Sequence, residues 1–138
     1  MAESYKKMDK GAADGMKTSE DKTAAVAEAW ARVRSDASAV EWATFTTDGK
    51  VYALKAEGSG TDAFLSALDE DCVTFAGLRV GDKFFHVLYV GTGVGIIKRS
   101  KAQMQKNAPF NAMPGANGDV ELPPGETTLE KLAALTAG

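Results

Sequence analysis

The chain has 138 residues, of which 44% are hydrophobic and 25% charged, and its formal net charge is -3. This length suits one ordinary domain with a real core, and the acidic balance excludes a general nucleic-acid binder, which would carry a basic excess. The single cysteine, Cys72, excludes an internal disulfide, and no apolar run approaches the roughly 20 residues that a membrane span needs. These properties favour a soluble intracellular protein.

The first predicted helix follows a polar start. Residues 1–18 are rich in lysine and lack periodic apolar positions, which predicts a flexible N-terminal extension before a single domain over residues 19–138. Thr18 and Ser19 are candidate helix caps. An apolar stripe at spacings of four and three residues then predicts an amphipathic helix. That stripe consists of Val26, Trp30 and Val33.

Two predicted hairpins follow. Residues 40–45 and 51–56 are joined through Asp48-Gly49, and residues 72–80 and 83–90 through Gly81-Asp82. Both dipeptides favour tight turns between strands. The second pair is apolar on both strand faces, which is typical of central strands covered on both sides of a sheet.

Shorter elements complete the predicted fold. Thr61 can cap a short helix with the sequence DAFLSAL, residues 118–122 can form a last strand, and residues 127–135 a closing helix. The predicted class is therefore α/β, more strictly α+β. We expect a central mixed, largely antiparallel sheet of five to six strands, sandwiched between helices in three layers.

A basic segment, KRSKAQMQK at residues 98–106, carries four cations and no acid in this acidic chain. At about 100° per residue, a helix through residues 96–107 groups four side chains within a 100° arc, which we expect to pack on the sheet. That arc consists of Ile96, Ile97, Ser100 and Met104. All four cations would then point outward. They are Lys98, Arg99, Lys101 and Lys106.

A solvated helix face is the simpler interpretation of these cations. A face of one charge sign in an acidic protein also suggests an acidic partner surface, because such a face repels itself. Pro109 cannot continue the helix without a kink. We therefore expect a restart near Ala108, with Phe110 and Met113 continuing the packing.

No candidate for catalysis, metal binding or cofactor binding emerges. His86 has no second His or Cys nearby in sequence, so a packed histidine is the expected role. The GTGVG segment lacks the spacing of phosphate-binding loops and is expected to be a turn between strand and helix. Cys72 opens an apolar run, which favours a buried, inert thiol. The chain is therefore not expected to be an enzyme.

Several short segments of the sequence occur together in one known family. VRSDASAVEWATFTTDG at residues 33–49 is the most specific of them, and FAGLRV, YVG and VGIIKRSKAQMQK follow in the expected order. From about residue 21 to its end, the chain resembles the ADF/cofilin homology (ADF-H) family, most closely its coactosin members. The last three segments correspond to that family's two central strands and its long helix.

The resemblance implies a non-enzymatic protein that binds the sides of actin filaments (F-actin). It would modulate filament dynamics without strong severing, in the cytoplasm and cytoskeleton. By position, the implied actin contacts lie on the long helix and at the start of the second central strand, with Arg79 as a further candidate. They are Lys83, Lys98, Arg99, Lys101, Met104, Gln105 and Lys106. The short hairpin at Gly81-Asp82 and the proline at position 109 depart from the family pattern.

Other functions stay open at this point. A protein similar to glia maturation factor would bind the actin-related branching complex instead of bare filaments. A phosphoinositide-binding module would use the same cations on anionic lipid. In each case the protein is expected to be a monomer without cofactor.

Overall fold

The computed structural model describes residues 22–122. Three predictions therefore lie outside the described residues: the extension at residues 1–18, the caps Thr18 and Ser19, and the closing helix at residues 127–135.

The helices and strands follow one another in the order that the sequence predicts. They are α1 (Ala24–Arg34), β1 (Trp42–Thr47), β2 (Tyr52–Gly58), α2 (Thr61–Ser66), β3 (Val73–Val80), β4 (Lys83–Val90), α3 (Ile96–Gln105), α4 (Asn107–Asn111) and β5 (Gly118–Leu122). The described residues thus form one α+β domain.

A single five-stranded sheet connects the described strands in the order β2-β1-β3-β4-β5. β5 runs parallel to β4, and the other neighbouring pairs are antiparallel, so the sheet is mixed and largely antiparallel as predicted. Both predicted hairpin turns are present. Gly49 (φ 99°) and Gly81 (φ 63°) supply the left-handed backbone that these turns need.

The sheet is covered on both faces, and each face has its own core. On one face, α1 packs through Val26, Trp30 and Val33, while α2 packs on the other face through Phe64. Gly77 of β3 lies directly beneath the Trp30 ring, where an added Cβ would come within 2.6 Å of ring carbons. This glycine lets α1 approach the middle of the sheet closely.

The expected restart of the long helix is confirmed. Since Pro109 has no N–H, the carbonyl of Gln105 lacks its usual intrahelical donor, and α3 ends at that residue. The Tyr52 hydroxyl donates a hydrogen bond to this carbonyl at 2.8 Å. Phe110 and Met113 are buried beyond the break, as predicted. The Tyr52 hydroxyl that binds the Gln105 carbonyl is itself partly buried, and this burial raises the pKa of Tyr52 above its ordinary value.

Candidate docking surface

The side of helix α3 that was expected to pack on the sheet faces solvent instead. Ile96 is 81% exposed, and Ile97 and Met104 are each 74% exposed, whereas Ala102 is fully buried. The prediction that the apolar arc faces the sheet is therefore wrong. The helix is rotated so that its one alanine meets the core.

Arg99 explains this rotation. Its guanidinium donates from Nε to the carbonyl of Val94 and from Nη2 to the carbonyl of Gly91, both at 3.1 Å. Arg99 is thus half-buried and directed back toward the loop, which corrects the prediction that it points outward. These two charge-assisted bonds hold the helix in an orientation that leaves Ile96 and Ile97 in water.

The loop that Arg99 holds is itself fastened to the segment before β3. The Gly93 N–H donates to the Glu70 carbonyl at 2.7 Å, and the Gly91 N–H donates to the Cys72 carbonyl at 3.1 Å. A Cβ on Gly91 would lie 2.1 Å from the Glu70 oxygen, so only glycine fits there. The GTGVG segment is therefore a turn between strand and helix, as predicted.

Two of the predicted cations, Lys98 and Lys101, are exposed on α3. No carboxylate within residues 22–122 forms an ion pair with either of them. Both lysines border a groove of about 390 Å³ between α3 and the turn that joins β1 to β2. The groove also contains Asp48 and Asp71, so it is mixed in charge.

These side chains together form what we term the α3 surface. It consists of Ile96, Ile97, Lys98, Lys101 and Met104. Three large exposed apolar groups flanked by two exposed cations have the composition of a protein-docking surface, with apolar contacts for affinity and charge for steering.

The other predicted contacts are less exposed or lie elsewhere. Gln105 lines the groove and is half-buried, as is Lys106 at the joint between α3 and α4. Lys83 begins β4, whereas α3 follows the end of that strand. Seven residue steps separate the two strand ends, about 23 Å, so Lys83 does not adjoin Lys98.

Arg79 is engaged within the protein. Its guanidinium lies within 3.4 Å of the Val33 carbonyl, donates to the Gly81 carbonyl at 3.1 Å and pairs with the Asp36 carboxylate. A cation at this position stabilises the C-terminal end of α1. The geometry therefore gives Arg79 a structural role and argues against the prediction of a partner contact.

His86 is a packed histidine, as predicted. Its ring stacks on Phe110 with 4.7 Å between centroids, while Nδ1 lies 2.8 Å from Asp119 and Nε2 lies 2.6 Å from the Met113 carbonyl. The described residues contain no group of three or more His, Cys, Asp or Glu side chains that could hold a metal ion. No helix among them is long and apolar enough to cross a membrane.

The sequence did not identify Ile96 and Ile97 as contact residues. Apolar periodicity alone does not say which side of a helix is buried. A weak signal was present. Ala102 is the one alanine of α3, and Arg99 lies three residues before it on the same face. A small residue beside a long arginine is compatible with close packing against backbone carbonyls.

The fold and the exposed long helix define a protein of the ADF-homology class of fold. Cofilin from Streptomyces griseoflavus shares this fold with a TM-score of 0.68 at 15% identity, over 82% of this chain and 91% of that chain. No protein-family model matches the sequence, and no curated protein is significantly similar to it. The class is thus recognised through structure.

Within this class, the chain is similar to coactosins. Human coactosin-like protein superimposes with a TM-score of 0.70 at 25% identity, covering 84% of this chain and 88% of that chain. Mouse coactosin, described as an actin filament binding protein, gives a TM-score of 0.64 at 25% identity over 86% and 90%. Coactosin from Entamoeba histolytica gives 0.69 at 24% identity over 87% and 94%. Of the proteins named here, mouse coactosin is the one described as binding actin filaments, and none is described as an enzyme.

Proposed function

We propose that this protein binds the sides of actin filaments through the α3 surface. The observation that carries the proposal is the exposure of Ile96, Ile97 and Met104 beside two lysines that no carboxylate of the described residues neutralises. A protein gains nothing in stability from isoleucines left in water, so a partner that covers them accounts for their position.

The physical basis of binding would be a helix laid on an apolar groove of the partner. Burying one isoleucine or methionine side chain contributes about 1.5–3 kcal/mol. Lys98 and Lys101 would each add about 0.2–1 kcal/mol against acidic groups and would accelerate association. Affinity would therefore come mainly from Ile96 and Ile97, and salt dependence from the lysines.

The comparison with mouse coactosin supports the choice of partner, because that protein shares the fold and is described as binding actin filaments. We infer modulation of filament dynamics without strong severing, by a monomer without catalytic activity that acts in the cytoplasm on the cytoskeleton. Lys83, at the far end of β4 from α3, would be an accessory contact with the same filament. Gln105 and Lys106, half-buried at the end of α3, would border the interface.

Co-sedimentation with filaments at two salt concentrations tests the proposal. We expect the full chain to pellet with F-actin and to pellet less at 300 mM than at 50 mM salt, since screening weakens exposed charge pairs. The variant Lys98→Glu/Lys101→Glu should bind about tenfold more weakly or worse, because two attractions become repulsions.

A control variant of equal net charge is Arg32→Glu/Lys55→Glu. These two cations lie away from α3 and pair with Glu57 and Asp69. We expect this variant to pellet like the unmodified chain. An equal loss of filament binding in both variants would show that Lys98 and Lys101 act only through the net charge of the protein.

Two alternative partners are distinguished by parallel measurements. Binding to the actin-related branching complex without pelleting on bare filaments would favour a function like that of glia maturation factor. Flotation with liposomes that contain phosphoinositide, without filament binding, would favour the anionic-lipid partner. Either result would replace the filament proposal.

A further inference from the structure

Ser100 lies in the middle of the exposed apolar side of α3. Ile96 and Ile97 precede it by four and three residues, and Met104 follows it by four, so all three are its neighbours on the helical surface. Ser100 is exposed, and its hydroxyl makes no hydrogen bond to any of residues 22–122. An apolar contact surface thus has one free hydroxyl at its centre.

We propose that Ser100 is a phosphorylation site through which a protein kinase switches off the α3 surface. The inference rests on the proposed function, because it names a means of regulating that same surface. Three observations carry it: the position of the hydroxyl, the charge around it and the weak packing of the helix that bears it.

The charge around Ser100 suits a kinase with an acidic substrate groove. Lys98, Arg99 and Lys101 lie within two residues of the acceptor, and no acidic residue occurs between Asp82 and Asp119. A cation-directed kinase would therefore meet no repulsive carboxylate over this whole stretch of chain.

Helix α3 can open to present Ser100. It has ten residues, of which only Ala102 is buried, and its N-cap Gly95 supplies no side-chain hydrogen bond. An isolated helix of fewer than about 12 residues is marginal in water, and few buried apolar contacts oppose its opening. What has to break is a small set of hydrogen bonds, those of Arg99 to the loop carbonyls, of Tyr52 to the Gln105 carbonyl and of Gln103 to Glu121. Entry into a kinase site therefore does not require unfolding of the sheet.

The reaction is a phosphoryl transfer. The Ser100 Oγ attacks the γ-phosphorus of ATP, an O–P bond forms, the bond to the bridging oxygen of the β-phosphate breaks, and ADP leaves. The catalytic carboxylate of the kinase takes the hydroxyl proton. The product carries a charge of about -1.5 to -2 at neutral pH, in a surface that must lose water on docking.

The first experiment asks whether the site is used. The full chain and the variant Ser100→Ala are incubated with cation-directed protein kinases and Mg²⁺-ATP, and the phosphorylated residue is mapped by peptide mass spectrometry. We expect phosphate on Ser100 and loss of that label in the variant. Phosphate placed on other residues while Ser100 stays unlabelled would overturn the proposal.

The second experiment asks what the phosphate does. Phosphoserine is incorporated genetically at position 100 in the full chain, and filament binding is measured by co-sedimentation. Its control carries phosphoserine at Ser66, an exposed position on α2 at the other face of the sheet. We expect binding at least tenfold weaker for the first protein and unchanged for the second, with thermal unfolding showing that both are folded.

The outcomes separate the two proposals. If the unmodified chain binds filaments and the protein phosphorylated at Ser100 binds equally well, the regulatory inference is wrong while the proposed function stands. If the unmodified chain does not bind filaments, the proposed function fails and takes the inference with it.

Discussion

Helices α1 and α3 lie against the same face of the sheet, carry similar apolar spacing and are buried in opposite ways. In α1 the stripe that contains Val26, Trp30 and Val33 is buried, and the polar side faces water. In α3 the side that contains Ile96 and Met104 faces water. One helix therefore serves the core, and the other presents its apolar residues outside.

The cause of the difference lies outside the apolar pattern. Trp30 fits over Gly77, and its Nε1 donates a partly buried hydrogen bond to the Pro114 carbonyl at 2.8 Å, so α1 is held by close packing around this ring. Helix α3 is held instead by Ala102 and by hydrogen bonds, chiefly those of Arg99 to the loop and that of Tyr52 to the Gln105 carbonyl. A helix held mainly by polar contacts leaves its larger apolar groups exposed.

The largest effect that sharpens this comparison is expected in α1. Trp30→Ala removes a buried indole and its hydrogen bond, so the free energy of unfolding should fall by about 3–5 kcal/mol. Met104→Ala, in α3, should change it by less than about 0.5 kcal/mol, because that side chain is 74% exposed. Urea denaturation followed by tryptophan fluorescence or circular dichroism measures both, and comparable losses would contradict the assigned packing of α3.

The reverse contrast is expected in filament binding. The variant Ile96→Ser/Ile97→Ser should keep the stability of the parent chain within about 0.5 kcal/mol. It should lose about 2–5 kcal/mol of binding free energy, because the exposed 81% and 74% of these two side chains no longer become buried. Co-sedimentation over a range of filament concentrations gives the affinity. Ser35→Ala/Ser38→Ala, near the end of α1, is a control that should leave pelleting unchanged.

A smaller effect separates Arg99 from its neighbour. Arg99→Gln loses both charge-assisted bonds to the loop carbonyls and should lower the free energy of unfolding by about 1–3 kcal/mol. Lys101→Gln removes the same charge from an exposed position and should leave stability within about 0.5 kcal/mol. Thermal and urea unfolding would show the difference. Equal stability of the two variants would remove the role of Arg99 in orienting α3.

The smallest predicted effect concerns the end of α3. Tyr52→Phe removes the hydrogen bond to the Gln105 carbonyl and should cost about 1 kcal/mol of stability. Burial raises the pKa of Tyr52 in the folded protein, so its contribution is present below about pH 10 and is lost as the pH rises through the higher folded value.

The difference in stability between the parent chain and Tyr52→Phe should therefore shrink as the pH rises above about 10. Urea unfolding at a series of alkaline pH values measures it. A difference that grows with pH would show that the phenolate is favoured by folding, contrary to the burial of this hydroxyl.

The order of elements could be predicted because local features determine it. The turn dipeptides at Gly49 and Gly81, the apolar strands and the break caused by Pro109 each act within a few residues. The rotation of α3 could not be predicted in the same way. It depends on two carbonyls of the preceding loop that become acceptors for Arg99 only once Gly91 and Gly93 have docked on the segment before β3.

The candidate site was consequently predicted in part. Lys98, Lys101 and Met104 are exposed as a contact surface requires, whereas Arg99 is directed inward and Ile96 and Ile97 take its place outside. Charge pointed to α3 because a stretch without acids is visible in the sequence. The apolar half of the surface depends on which helical side meets the sheet, and that is a property of the whole fold.

Hydrogen exchange of the backbone amides, measured with and without actin filaments, tests the docking of α3 most directly. We expect residues 96–105 to exchange more slowly in the presence of filaments, with α1 and α2 unchanged. Slower exchange confined to other parts of the chain, with α3 exchanging as fast as in the free protein, would contradict the assignment of this helix as the docking surface.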